Sequence, residues 1–231
     1  MILVKEIPQT MEDNSFSLKH YLVFFIMPLS SALFYLKYMK SVERVIGLLM
    51  FVFVCVIISA LLWKAVSLVS SRFDIRKFSV TIITVAVFAA IDHFIKLVLS
   101  KTGFETSIIG KYLMIKYSHN INQNGIFNYL KIETSQLTMI FLKAAILAIV
   151  ICLYKLFRTE TAGKAYILVA ASALASFLDT LLYGYTLDYV YFYKVMTYDL
   201  KDFYVDAGWS VIIMVIFINE IKKSKEKKKV S

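Results

Sequence analysis

The chemistry available to this chain rests on a few acidic residues placed where acidic residues are costly. Asp179 and Asp202 each fall in or at the edge of a long apolar run. A carboxylate inside a membrane segment marks a functional site unless it is paired or reaches water. Asp179 stands 15 residues after Lys164, about 22 Å along a helix, in the outer third of a hydrocarbon core about 30 Å thick. Asp202 precedes Lys222 by 20 residues, about 30 Å if that segment is helical throughout, so it reaches the same depth from a different span. Two carboxylates brought within a few ångströms share one proton. One then takes a proton from water as it attacks an amide carbonyl, while its protonated partner donates to the oxyanion. A helix-end position exposed to water is the plain alternative for Asp179. Asp92 and Lys96 are spaced i, i+4, which is ion-pair spacing on a helix, and a self-contained pair there needs no catalytic explanation. Competing chemistry is poorly supplied: His20, His93 and His119 are scattered, Cys55 and Cys152 sit in separate apolar runs, and no HxxxH, GxSxG or P-loop occurs. Neither a metal nor any other cofactor is expected.

The elements that must position these groups are membrane helices. Hydrophobic residues make up 59% of the 231 and charged residues only 18%, against roughly 45–50% and about 25% in soluble domains. That balance excludes a soluble enzyme and a disordered chain. Apolar runs predict spans near residues 20–37, 45–69, 78–100, 137–156, 165–183 and 204–221. Lys111 to Ser118 partly alternates apolar and polar, which predicts a strand and a small sheet between the third and fourth spans. Glu6, Glu12 and Asp13 precede the first run without a small-residue cleavage site after it, so that run is expected to stay in the protein.

The net charge of +10 gathers at span ends, where it sets topology rather than binding nucleic acid. Six lysines between Lys222 and Lys229, the loop cations Lys155, Arg158 and Lys164, and the group Arg72, Arg76 and Lys77 all predict cytoplasmic ends. Residues 101–136 and 184–203 are then outside. A hairpin of the first two spans starting inside leaves Lys37, Lys40 and Arg44 outside, against the charge rule. The alternative is an interfacial run around Pro28. Tyr183, Tyr185, Tyr189, Tyr191, Phe192, Tyr193 and Tyr198 fit an aromatic belt at the interface and are also compatible with an outer flap.

Taken together these residues resemble the lipoprotein signal peptidases (signal peptidase II), with the likeness running from about residue 78 to 221. AIDHFIK is similar to the family's Asp-x-x-x-Lys, on Asp92 and Lys96; HNINQNGIF is similar to its outer-loop motif, on Asn122 and Phe127. SFLDTLLYGYTLDYVYF resembles the block of the first catalytic aspartate, at Asp179, with Gly184 and Asp188 in register; DLKDFYVDAG resembles the block of the second, at Asp202, followed by Gly208. Departures are Asn124 and Gly125 for Gly and Ala, Ser176 for Asn, Thr180 for Arg, Asp199 for Asn and Lys201 for Ala. Thr180 lacks the guanidinium fork that holds a carboxylate or carbonyl oxygen, and Asp199 adds a like charge beside the dyad.

The resemblance implies an all-α integral membrane protein with a four-helix transmembrane core, one or two extra N-terminal transmembrane helices and a small extracytoplasmic β-sheet. For a divergent member of this kind, residues 1–75 are expected to form an N-terminal extension with one or two membrane segments, 76–222 the catalytic core and 223–231 a lysine-rich cytoplasmic tail. The implied activity is aspartic endopeptidase cleavage of signal peptides from diacylglyceryl-modified prolipoproteins at the outer face of the plasma membrane. Asp179 and Asp202 are the implied catalytic pair, with Asn122, Asp92, Lys96, Ser176, Asp199 and Phe127 binding or supporting. Expected partners are the lipid-modified precursors and membrane lipids, with no nucleic acid, and the protein is expected to be a monomer. A non-catalytic relative that binds such precursors, and a small transporter, are the competing readings; a transporter's carboxylates belong nearer the bilayer midplane.

Overall fold

The computed structural model describes residues 22–36, 40–120, 135–157 and 159–230. A short turn of 3-10 helix, Leu22–Phe25, leads into α1 (Ile26–Leu36), followed by α2 (Val42–Arg72) and α3 (Phe78–Thr102). Strands β1 (Thr106–Ile109) and β2 (Leu113–Asn120) precede α4 (Gln136–Cys152), which ends in a 3-10 turn, Leu153–Leu156. α5 (Glu160–Tyr183), β3 (Thr186–Phe192), β4 (Met196–Tyr198) and α6 (Leu200–Val230) complete the chain.

Among the described residues five helices are long and apolar enough to cross a bilayer: Val42–Arg72, Phe78–Thr102, Gln136–Leu156, Glu160–Tyr183 and Leu200–Ile221. Of the first expected span, residues 22–36 are described and are helical. From Leu22 to Leu36 the helical segment extends only about 22 Å, less than the roughly 30 Å hydrocarbon thickness. It lies against α2 and α6, with Phe24 packed on Trp63 at 6.2 Å between ring centroids and Met27 N donating to Ser210 Oγ at 3.3 Å.

Helix ends follow local chemistry. Ser41, Ser135 and Thr159 cap α2, α4 and α5, each hydroxyl accepting from a backbone N–H three residues on. α5 ends at Gly184, whose φ of +75° suits glycine, and a Cβ there would lie 2.9 Å from the Gln136 side chain. α5 is the central helix. Its buried small residues Gly163, Ala165, Ala171, Ser172 and Ala175 let neighbours approach closely, as helix packing in lipid requires. α6 takes advantage of this at Gly208, where a Cβ would lie 2.6 Å from Val169 Cγ2 and 2.8 Å from the Ala165 carbonyl oxygen. Tyr204 ties α6 to α3 by donating to the Phe88 carbonyl oxygen at 3.0 Å.

The expected strand is β2, and it belongs to the expected small sheet. It has four antiparallel strands in the order β1-β2-β3-β4, with Leu113 opposite Phe192 and Ser118 opposite Asp188. Two strands therefore come from the segment read as an aromatic belt. Tyr189 and Phe192 are buried, and Phe51 of α2 packs edge-on against Phe192 and Tyr198 at 5.3 and 5.2 Å. These rings fasten the sheet to the bundle. Glu43, at the start of α2, completes that junction by binding Lys111, with Lys194 at 3.9 Å and the Tyr193 hydroxyl donating to it at 3.4 Å.

Candidate active site

The acidic residues converge where α3, α5 and α6 meet the sheet. α3 presents Asp92 and Lys96 one turn apart, and both are buried. Lys96 Nζ lies 2.5 Å from Asp92 Oδ2, 2.7 Å from Asp179 Oδ2 and 2.7 Å from Asp199 Oδ2. The i, i+4 pair is thus one side of a larger cluster, with Lys96 joining α3 to α5 and to the start of α6. Lys201 bridges from the opposite side: its Nζ binds Asp199 Oδ2, lies 3.3 Å from Asp179 Oδ2 and 4.0 Å from Asp188 Oδ1. Two ammonium groups therefore share one oxygen of Asp179 and one of Asp199. In a lipid-surrounded site such multiple pairing is what makes buried charge tolerable.

The other oxygen of Asp179 has different surroundings. Asp179 Oδ1 is buried without a hydrogen bond among the described residues, and the His93 ring approaches it at 3.7 Å through Nδ1. Beside it, Lys143 of α4 donates to Thr180 Oγ1 at 2.6 Å, and Thr180 donates in turn to the Ser176 carbonyl oxygen at 3.3 Å.

Asp199 and Asp202 are joined by the start of α6. Asp202 N donates to Asp199 Oδ1 at 3.2 Å, and Asp199 N donates to Asp202 Oδ2 at 3.2 Å. This reciprocal arrangement is a capping box, and both carboxylates lie where the helix dipole favours negative charge. Burial by itself pushes the Asp199 carboxyl up, but the Lys201 and Lys96 ammonium groups hold it below the usual carboxylate range. Asp202 is half-buried, whereas Asp179 and Asp199 are fully buried. The strand β3 adds Asp188, which accepts from Thr197 Oγ1 at 2.8 Å, and Tyr189, whose hydroxyl accepts from Leu200 N at 3.0 Å.

Carboxylate oxygens come within 4.8 Å of one another in two groups, Asp92 with Asp179 and Asp199, and Asp188 with Asp199 and Asp202. Asp199 belongs to both and stands between the two aspartates of interest. The first group has the spacing of a metal cage, but Lys96 Nζ already sits on all three of its carboxylates.

A family model described as signal peptidase (SPase) II matches residues 82–218, more than half of the chain. The chain belongs to the signal peptidase II family. This makes it a multi-pass membrane protein of a protease family concerned with lipoprotein processing. Two solved bacterial membrane enzyme structures, determined in meso at 2.3 and 1.9 Å resolution, share the fold. The first is 18% identical with a TM-score of 0.50, covering 65% of this chain and 92% of the other. The second is 20% identical with a TM-score of 0.50, covering 60% and 93%. No curated protein matches by sequence.

Of the residues that the signal peptidase II motifs single out, Asp92, Lys96, Asp179 and Asp199 meet in one cluster, whereas Asp202 falls in a second carboxylate group, with Asp188 and Asp199, that does not include Asp179. Ser176 is half-buried one turn before Thr180. Asn122 and Phe127 lie outside the described residues. Two of the family departures, Asp199 and Lys201, pair with each other, and a third, Thr180, accepts from Lys143. The like charge that Asp199 brings is therefore matched by a cation two residues away. Lys143 and His93 were missed by the motif reading, although a lysine within an apolar run is itself a signal of an inward-facing site.

Proposed function

We propose that the protein is an aspartic endopeptidase that removes signal peptides from diacylglyceryl-modified prolipoproteins, with Asp179 and Asp202 activating water. The observation that carries this reading is the asymmetry of Asp179. One oxygen is anchored by Lys96 and Lys201, while the other is buried and makes no hydrogen bond among the described residues, which leaves its lone pairs free to accept a proton. Asp202, half-buried at the start of α6, supplies the second carboxyl group, joined to the Asp179 cluster through Asp199 and grouped with Asp188. In the reaction, water oxygen bonds to the scissile carbonyl carbon and its proton passes to Asp179 Oδ1. Protonated Asp202 donates to the carbonyl oxygen, and collapse of the tetrahedral intermediate returns a proton to the leaving amine. Asp92 and Lys96 hold Asp179 in place, and Ser176 supports Thr180 through its backbone.

The same reading places the sheet and the aspartate cluster at the outer face of the plasma membrane. Arg72, Arg76, Lys77, Lys155 and Lys164 gather at the opposite end of the bundle, where Tyr154 donates to the Arg76 carbonyl oxygen, and clustered cations mark cytoplasmic ends. Residues 76–222 then form the catalytic unit, 1–75 an accessory extension and 223–231 a cytoplasmic tail. The partners are lipid-modified precursors and membrane lipids, the active form is a monomer, and no cofactor enters the reaction. Incubation of the purified protein with a diacylglyceryl-cysteine prolipoprotein peptide is expected to release the signal peptide. Absence of release by folded protein in a lipid environment refutes the reading.

A further inference from the structure

Lys143 is a charged side chain of the site that the reaction above leaves unused. It lies on the buried face of α4, where Met139 and Lys143, one turn apart, are the buried residues of that helix. Its ammonium donates to Thr180 Oγ1 at 2.6 Å, and Thr180 is held by the Ser176 carbonyl oxygen, so the backbone of α5 fixes where the cation sits. Thr180 follows Asp179 directly, so the cation is anchored to the helix that carries the proposed base, without a contact to its carboxylate within 4.0 Å.

An ammonium has three hydrogens to donate. Lys96 meets three carboxylates, and Lys201 has three within 4.0 Å. Lys143 meets no carboxylate oxygen within 4.0 Å among the described residues and gives a hydrogen only to a neutral hydroxyl. A buried cation without a direct ion pair is costly. What the protein gains is a charged donor with hydrogens to spare, held on Thr180 of the helix that carries Asp179.

We propose that Lys143 is a substrate-binding residue whose ammonium donates to a carbonyl oxygen of the lipid-modified peptide beside Asp179. This rests on the peptidase reading and adds to it the group that holds the substrate. The scissile amide and the acyl esters of the diacylglyceryl group offer the same acceptor chemistry, and two substrates distinguish them.

Native protein, Lys143→Met and Lys143→Arg are compared on a diacylglyceryl-cysteine peptide and on an analogue with ether links in place of the acyl esters. Lys143→Met removes the donor while keeping an apolar chain of similar length, and it strands no carboxylate ion-paired to Lys143 within 4.0 Å among the described residues. Its kcat/KM is expected to fall about ten- to a hundredfold, the range for a hydrogen bond to a charged group. Lys143→Arg, which keeps a charged donor, is expected to lose less. A rise in KM marks ground-state binding, and a fall in kcat marks donation to the developing oxyanion. A loss that persists on the ether analogue assigns the amide carbonyl, and a loss confined to the ester substrate assigns the acyl ester. Both uphold the proposal. Lys143→Met within about twofold of native on both substrates, or Met and Arg variants equally impaired, overturns it.

Binding of a lipopeptide with a ketomethylene group at the scissile bond gives a readout that needs no turnover. Native protein that binds this probe but cleaves nothing removes the peptidase reading. Weaker binding by Lys143→Met then still upholds its role, and equal binding overturns it. No binding by native protein overturns both.

Discussion

Replacing Lys201 by methionine tests whether the altered shell around Asp179 is a matched set. Lys96 and Lys201 are the two ammonium groups facing Asp92, Asp179, Asp188 and Asp199, so negative charge is already in excess. Lys201→Met increases that excess inside the bundle, and removing one partner from a buried pair typically costs about 3–5 kcal/mol. For a chain of this size that corresponds to a fall in melting midpoint of roughly 6–20 °C. Asp199→Asn reduces the excess and keeps an oxygen for the Asp202 backbone N–H at the helix cap, since asparagine caps helices about as well as aspartate. Its cost is expected to be about 1–2 kcal/mol, mainly from weakened hydrogen bonds to the two lysines. The double variant restores the native charge balance and is expected to melt above Lys201→Met alone. Thermal melts of the four proteins in one detergent supply the cycle. If the two losses simply add, Asp199 and Lys201 are not coupled and the matched-set reasoning is wrong.

Gly208→Val drives a branched side chain into the Ala165 carbonyl and Val169; it is expected to separate α5 from α6 and lower the melting midpoint, with Gly208→Ala intermediate. A melt of Gly208→Val equal to native shows that the close approach is dispensable. For topology, a Cys152→Ser background removes the exposed native thiol. In it, Ser107→Cys on β1 is expected to react with a membrane-impermeant thiol reagent on intact cells and Ser224→Cys is not; the reverse pattern puts the aspartates on the cytoplasmic side.

The spans were legible in the sequence because lipid-facing helices must be apolar along their length, and the pairing of Asp92 with Lys96 because i, i+4 spacing is local. What local patterns miss is contact across elements. Lys96 reaches Asp179 and Asp199, which lie far along the chain, so its i, i+4 pairing with Asp92 hid its role as a hub. The same holds for Asp199 and Lys201, which read singly as departures from a motif and prove to be partners. Strands β3 and β4 were obscured by composition, since tyrosines serve both an interfacial belt and a sheet packed on Phe51. Lys143 was concealed by the apolar run around it, and only the packing of α4 on α5 brings it to Thr180.

The central claim is that Asp179 and Asp202 act as one catalytic unit. Its most direct test is the cleavage rate of a diacylglyceryl-cysteine prolipoprotein peptide by native protein, Asp179→Asn, Asp202→Asn and the double variant, each first shown to be folded in the membrane. Each single substitution is expected to lower kcat by several orders of magnitude, and the double variant to be scarcely worse, as for residues that share one proton cycle. Near-native turnover by either single variant contradicts it.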